Sequence, residues 1–404
     1  MAFNLPPFAP TIPVSPFVPH IPQSRIDDLK ARLAAEAPRS TTYDNSTGPG
    51  HLGARRRYLD EAIVKWRDSF RWRDVEEEIA QFPGYMATVH HRNHTYRVHY
   101  LALWSEKPDA VPIVFCHGWP GSVLEFVPML KLLKEKYTPK TLPFHIVVPA
   151  LIGYGFSSPP PLDFPFTSLD NAGVFDAMMR GLGFGRENGK GVGYIVQGGD
   201  VGSFVARNSS RFESVLGVHV NFFPLLGSSS KLDVKGLDEL DKRAMKRAVQ
   251  WERWGQGYFW EHATKPATIG AVLESSPVAL LAWIGEKLND SGIPDSLNWT
   301  LAEVSLYWFT NSAATCLWQY KAGAGKDLDP NAQPPKRIDK PFGYSQFINE
   351  IFPTPIEWIK ARTNLVFARR HADGGHFAAL EKPALLWGDV SEFAGIVVQQ
   401  KAKL

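Results

Sequence analysis

The chain has 404 residues, enough for one large domain plus an insertion. Its 44 basic and 41 acidic side chains nearly cancel, which gives no reason to invoke nucleic acid, and short blocks such as Arg55-Arg56-Arg57 read as solvated. Two cysteines, Cys116 and Cys316, offer neither a disulfide framework nor metal-ligand spacing; both lie in apolar runs and are expected as buried free thiols.

Residues 1 to about 95 read as a Pro-rich lead-in followed by helices. Pro6, Pro7, Pro10 and Pro13 would break a signal or anchor helix, and no apolar run approaches the length of a membrane span. Glu61 through Ile79 has the spacing of one amphipathic helix. The core is expected to open at Tyr96-Arg97-Val98-His99-Tyr100-Leu101-Ala102-Leu103, where the pattern alternates. Strand-like runs recur at Ile113–Cys116, His145–Pro149, Tyr194–Gln197 and Leu216–Asn221, with helical patterns between them, as a parallel sheet requires. From 228 to 325 the strand signal gives way to Trp-rich helical sequence, read as a lid inserted between core halves. The core resumes around 338 and ends on a helix from about 387. The expected divisions are therefore 1–95, 96–227, 228–325 and 326–404. Sequons at Asn45, Asn93, Asn208 and Asn298 read as chance matches, and a soluble, reducing, cytoplasmic setting is expected.

Gln197-Gly198-Gly199-Asp200-Val201-Gly202-Ser203 follows the apolar run Tyr194-Ile195-Val196 and precedes a helical pattern. Gly198 and Gly202 bracket Asp200, which is the shape of the nucleophile elbow of α/β-hydrolases. Asp in place of Ser changes the chemistry. A carboxylate can displace a leaving group at saturated carbon and form an ester, which water must then hydrolyse at the Asp200 carbonyl. That step needs a base with an acidic partner and an oxyanion hole. The structural alternative is a Gly-rich turn with a helix-capping Asp.

His117-Gly118-Trp119-Pro120-Gly121-Ser122 follows a buried-strand run, where this fold places one oxyanion donor. The donors would be the backbone N–H groups of Trp119 and Val201, with Pro120 fixing the loop. Gly374-Gly375-His376-Phe377 follows the strand-like Asn364–Ala368 and puts His376 in place for the base. His371, His90, His91 and His94 lack that context and read as surface or packing residues. Glu350, Glu357 and Asp373 are candidates for the acid. Glu357 looks like part of a helix face; Glu350, at a strand end before a Pro turn, is favoured, with Asp373 as the alternative.

Together the Asp elbow, His-Gly-Trp-Pro and Gly-Gly-His-Phe-Ala-Ala-Leu-Glu resemble the epoxide hydrolases, most closely the microsomal-type branch and its soluble fungal relatives. The resemblance runs over nearly the whole chain, including Ile26–Leu33 and Trp66–Arg73. It implies an α/β-hydrolase fold with a mostly parallel central sheet, a helical lid insertion and an N-terminal helical extension. It implies Asp200 as nucleophile, His376 as base and Glu350 as charge partner. It also implies two lid tyrosines that hold and protonate the epoxide oxygen, matched here by Tyr258 and Tyr320. The bland alternative for each tyrosine is an aromatic on an amphipathic helix, since Trp251, Trp254 and Tyr258 have helical spacing. No metal or organic cofactor is expected, the partner is a small-molecule epoxide, and relatives suggest a homodimer. Two departures stand out: Val201 where microsomal-type members often have Trp, and no N-terminal membrane helix. A haloalkane dehalogenase, which also uses an elbow Asp but binds halide through N–H donors such as Trp, is the rival reading. A catalytically dead binding protein with the same pocket is another.

Overall fold

Parallel strands covered on both faces need near-continuous apolar runs, and four segments of this chain supply them. In the computed structural model, which describes residues 3–37, 40–225, 235–289, 293, 295–323 and 337–401, these are β4 (Pro112–Cys116), β5 (His145–Pro149), β8 (Tyr194–Gly198) and β9 (Val215–Val220). Every residue of the four is buried. They form the middle of a sheet that also contains β1 (Val14–Pro16), β2 (Gly84–His91), β3 (His94–Leu103), β10 (Ile338–Asn349) and β11 (Thr363–Gly375). The order is β1-β2-β3-β5-β4-β8-β9-β10-β11. Pairing is antiparallel from β1 to β5 and parallel from β5 to β11. A small ribbon, β6 (Arg186–Glu187) with β7 (Lys190–Gly191), stands apart from this sheet.

The α/β-hydrolase fold is thus present, with two differences from expectation in the first hundred residues. Glu61 to Ile79 is not one helix: Arg56–Asp68 ends at Ser69, and a second helix begins at Trp72. The amides of Ser69 and Phe70 both return to the Lys65 carbonyl, which closes the first helix and turns the chain. The sheet also begins earlier than residue 96, because β2 pairs along its length with β3 through a tight turn at Arg92 and Asn93. Both turn residues have positive φ, 47° and 62°, the geometry of a two-residue hairpin loop.

Between β9 and β10 the described residues contain helices and no strand. They run Glu239–Gln250, Gly257–Thr264, Pro266–Ser275, Pro277–Asn289, Ser296–Thr310 and Trp318–Gly323, with a π-helical turn at Trp251–Gly255. The expected lid limits at 227/228 and 325/326 lie outside the described residues. The last helix, Pro383–Lys401, opens slightly before the expected 387 and buries Phe393 and Val397 against β9 near Gly217. No single helix among the described residues is long and apolar enough to cross a membrane.

Candidate active site

The C-terminal ends of parallel strands are where this architecture places ligands, and four of them converge here. β8 ends at Gly198, and the helix Asp200–Ser209 starts two residues later. So sharp a turn leaves no room for side chains around it. A Cβ on Gly202 would lie 2.1 Å from the Cys116 carbonyl oxygen, and one on Gly198 2.2 Å from the Gly202 oxygen. Asp200 itself takes φ 38°, a conformation L residues adopt at a cost. The Gln197 amide donates to Asn221 Oδ1 at 2.8 Å and the Asn221 amide to the Gly198 carbonyl at 3.3 Å, which ties the bend to the end of β9.

The loop after β4 reaches over the elbow. The Trp119 backbone N–H donates to Asp200 Oδ1 at 2.8 Å. A Cβ on Gly118 would sit 2.3 Å from that same oxygen, so glycine is required for the carboxylate to approach. His117 anchors the loop: its Nε2 accepts from the Leu151 amide at 3.0 Å, and burial pushes its pKa down to about 4, so it is neutral. The Trp119–Pro120 peptide bond is cis. Val201 opens the helix beside Asp200, where first-turn amides lack intrahelical acceptors.

His376 follows β11, whose Gly374 has φ 88°. Its Nε2 is 3.2 Å from Asp200 Oδ2 and its Nδ1 2.5 Å from Glu350 Oε1. Glu350, one residue past β10 and 1% exposed, also accepts from the Ile351 amide at 2.6 Å. Burial alone would lower the imidazole pKa. The Glu350 charge and the hydrogen bonds to Asp200 and Glu350 outweigh it and hold His376 well above the usual value. Asp373, the other candidate acid, is exposed and pairs with Lys382. Glu357 lies in the short helix Ile356–Lys360. The competing histidines are engaged elsewhere: His371 with Asp389, His94 with Asp163, His90 with Thr95, and His91 against Gly173.

Tyr258 and Tyr320 come from separate lid helices and meet over the Trp119 indole. Tyr258 stacks on it at 5.0 Å, Tyr320 meets it edge-on at 5.9 Å, and the phenol rings are 6.0 Å apart. Burial, with the Asp200 charge adding to it, raises both phenols, which therefore stay protonated donors. The expected common face of Trp251, Trp254 and Tyr258 does not form. The helix breaks at Gln256, and Trp254 is 51% exposed and packs on His51.

Sequence reasoning missed three carboxyls around this centre. Glu381 Oε1 accepts from the Phe377 amide at 2.9 Å and so fixes the loop carrying His376. Glu303 on a lid helix accepts from Ser122 Oγ at 3.0 Å, and Tyr307 donates to the Gly121 carbonyl at 2.8 Å, which together fasten the lid to the oxyanion loop. Glu125 is buried nearby and its pKa is pushed up to about 8, chiefly by burial. Only the spacing of Glu381 within the His376 loop could have been read locally.

Comparison with known proteins gives the family of the chain. The family description "Epoxide hydrolase N terminus" matches residues 14–126, and "alpha/beta hydrolase fold" matches residues 111–208. The structure is similar to Aspergillus niger epoxide hydrolase with a TM-score of 0.88 and 40% identity, covering 98% of this chain and 100% of that one. The chain belongs to the epoxide hydrolases. Bombyx mori juvenile hormone epoxide hydrolase is similar at a TM-score of 0.82 and 25% identity, covering 97% of this chain and 96% of that one. Sus scrofa epoxide hydrolase 1 is 29% identical over 96% of this chain and 90% of its own length. The enzyme is therefore a hydrolase that opens small-molecule epoxides with water.

Proposed function

We propose that the enzyme converts an apolar epoxide to a vicinal diol through an ester on Asp200. The observation that carries this is that the Asp200 carboxylate is held at both oxygens, by the Trp119 amide at 2.8 Å and by His376 Nε2 at 3.2 Å. Oδ1, fixed by a backbone donor, is suited to become the ester carbonyl and later the oxyanion. Oδ2 is then the attacking atom. It bonds to an epoxide carbon while the ring C–O bond breaks, and the Tyr258 and Tyr320 phenols donate to the departing oxygen.

The protons balance. The free enzyme pairs an aspartate with a His376 imidazolium, whose elevated pKa depends on the Asp200 and Glu350 charges. Alkylation removes the Asp200 charge, so the imidazolium weakens its hold on its proton. That proton offsets the one the alkoxide takes, and His376 is left neutral. Oriented by Glu350, it then takes a proton from water, whose oxygen attacks the Asp200 carbonyl carbon. The amides of Trp119 and Val201 receive the tetrahedral oxyanion, and its collapse restores carboxylate and imidazolium. The Trp119, Tyr258 and Tyr320 rings grouped beside Asp200 favour an apolar substrate. The paired phenols suit an epoxide oxygen better than a halide, which weighs against the dehalogenase reading.

Single turnover in heavy-oxygen water tests the ester. The first diol formed should carry no label, and repeated cycles should place label in Asp200. Label in the diol on the first cycle would mean direct attack by water and overturn the proposal.

A further inference from the structure

His262 lies four residues after Tyr258 on the helix Gly257–Thr264 and is completely buried. It faces aromatic rings on several sides. Trp119 is 4.7 Å away at 89°, Tyr320 4.6 Å at 76°, Tyr258 5.6 Å at 74°, and Trp283 5.7 Å at 38°. Three of these four rings belong to the residues assigned to the oxyanion loop and the phenol pair. Edge-to-face geometry is the orientation in which an aromatic quadrupole attracts its neighbour most specifically. A single imidazole therefore sets the planes of all three.

Packing alone would be met by phenylalanine, but histidine does something further. The Trp283 indole N–H donates to His262 Nε2 at 2.9 Å. An indole can only donate, so Nε2 is the unprotonated nitrogen and the ring proton is on Nδ1. The tautomer and the ring rotation are thereby fixed by Trp283. Nδ1 is buried and has no hydrogen-bond partner among the described residues, where aromatic rings surround it. Burial, and secondarily the Lys287 charge, pushes the ring's pKa down to about 3, so it stays neutral throughout the working range.

We infer that His262 is a positioning residue for ring opening: pinned by Trp283, it holds the Tyr258 and Tyr320 rings against Trp119 so that both hydroxyls converge on the epoxide oxygen. It makes no contact with the reacting atoms. The inference rests on the phenol roles proposed above. It also assigns His262 to one step only, because the ester is hydrolysed through His376, Glu350 and the backbone amides.

Quenched-flow single turnover with styrene oxide, following alkyl-enzyme formation and decay by mass spectrometry, separates the steps. His262→Phe should slow alkyl-enzyme formation ~10-fold or more, about 1.4 kcal/mol of activation free energy. Decay should change by no more than ~2-fold. Equal slowing of both steps or unchanged alkylation overturns the inference. Tyr258→Phe and Tyr320→Phe run alongside. If ring opening is unaffected in those, the phenol assignment itself fails; if it is slowed there but not in His262→Phe, only the role of His262 fails. Should His262→Phe not fold, Trp283→Phe keeps the imidazole but frees Nε2. It must then slow alkylation selectively, and an unchanged alkylation rate overturns the inference.

Discussion

Asp200, His376 and Glu350 stand just past the ends of β8, β11 and β10 and are joined by contacts of 3.2 and 2.5 Å between charged atoms. Tyr258, Tyr320 and His262 stand on lid helices and are joined by ring packing at 4.6 to 6.0 Å, with no charge among them. The first group is placed by backbone: a strained elbow, a glycine approach of the oxyanion loop and the Trp119 amide that holds the carboxylate. The second is placed by side-chain shape. Directional hydrogen bonds between charged groups are about twice as strong as neutral ones, whereas an aromatic pair contributes about 0.5–1.5 kcal/mol and is easily repacked. The sheet half of the site should therefore tolerate few substitutions and fail completely, while the lid half should fail by degrees and one step at a time.

The largest test of that contrast is Glu350→Gln. The amide removes the charge that faces His376 Nδ1 at 2.5 Å, while keeping the shape. General-base catalysis contributes typically ~10²–10⁴-fold, so ester hydrolysis should fall by that order and the alkyl-enzyme should accumulate. Ring opening, which calls on Asp200 and the phenols, should persist. A variant that loses both steps equally, or neither, would show that the sheet half does not act as a charged unit.

A second test reads the electrostatics directly. The His376 pKa is opposed by burial and raised by the Glu350 charge and the bonds to Asp200 and Glu350. A group whose folded pKa lies above its unfolded value stabilises the fold fully below the unfolded pKa, and that stabilisation is lost as pH rises through the folded pKa. Asp200→Asn mimics the uncharged ester. The imidazole titration seen by NMR should move to lower pH in this variant, and the fall in melting temperature with rising pH, which starts at the unfolded imidazole pKa in both proteins, should be smaller and end at lower pH than in the wild type. An unmoved titration would remove the reason His376 turns from imidazolium to base after alkylation.

The same contrast explains what could be read from the chain. Gly198, Gly202 and Gly118 are written at fixed distances from Asp200 and Trp119 because close backbone approaches demand them, so the elbow and oxyanion loop were legible. Glu350 was legible as an acid at a strand end. β2 was not, because its hairpin turns on Arg92 and Asn93 rather than on the expected Asn-Gly or Gly-Gly. The break after Asp68 carries no Gly or Pro, so one long helix was the natural reading. Helical spacing put Trp254 and Tyr258 on one face, and the turn at Gln256 parted them. His262 was invisible because its surroundings come from segments far apart in sequence: the loop after β4 and several lid helices.

The smallest expected effect is a control within the sheet half. Thr167 caps the helix Ser168–Met179 in a reciprocal arrangement: its Oγ1 accepts from the Asp170 amide at 3.3 Å, and its own amide donates to Asp170 Oδ2 at 2.9 Å. That helix bonds to the nucleophile helix through Asn208 Nδ2 and Ser168 Oγ at 3.0 Å. Thr167→Ala should cost about 1 kcal/mol of stability in chemical denaturation. It should leave both alkylation and ester hydrolysis unchanged, because Asp200 is fixed by contacts with β4, β9 and the oxyanion loop and not by the far end of a neighbouring helix. A drop in either rate without larger destabilisation would mean that the elbow is softer than its glycine contacts imply. The division between a backbone-set and a packing-set half of the site would then lose its basis.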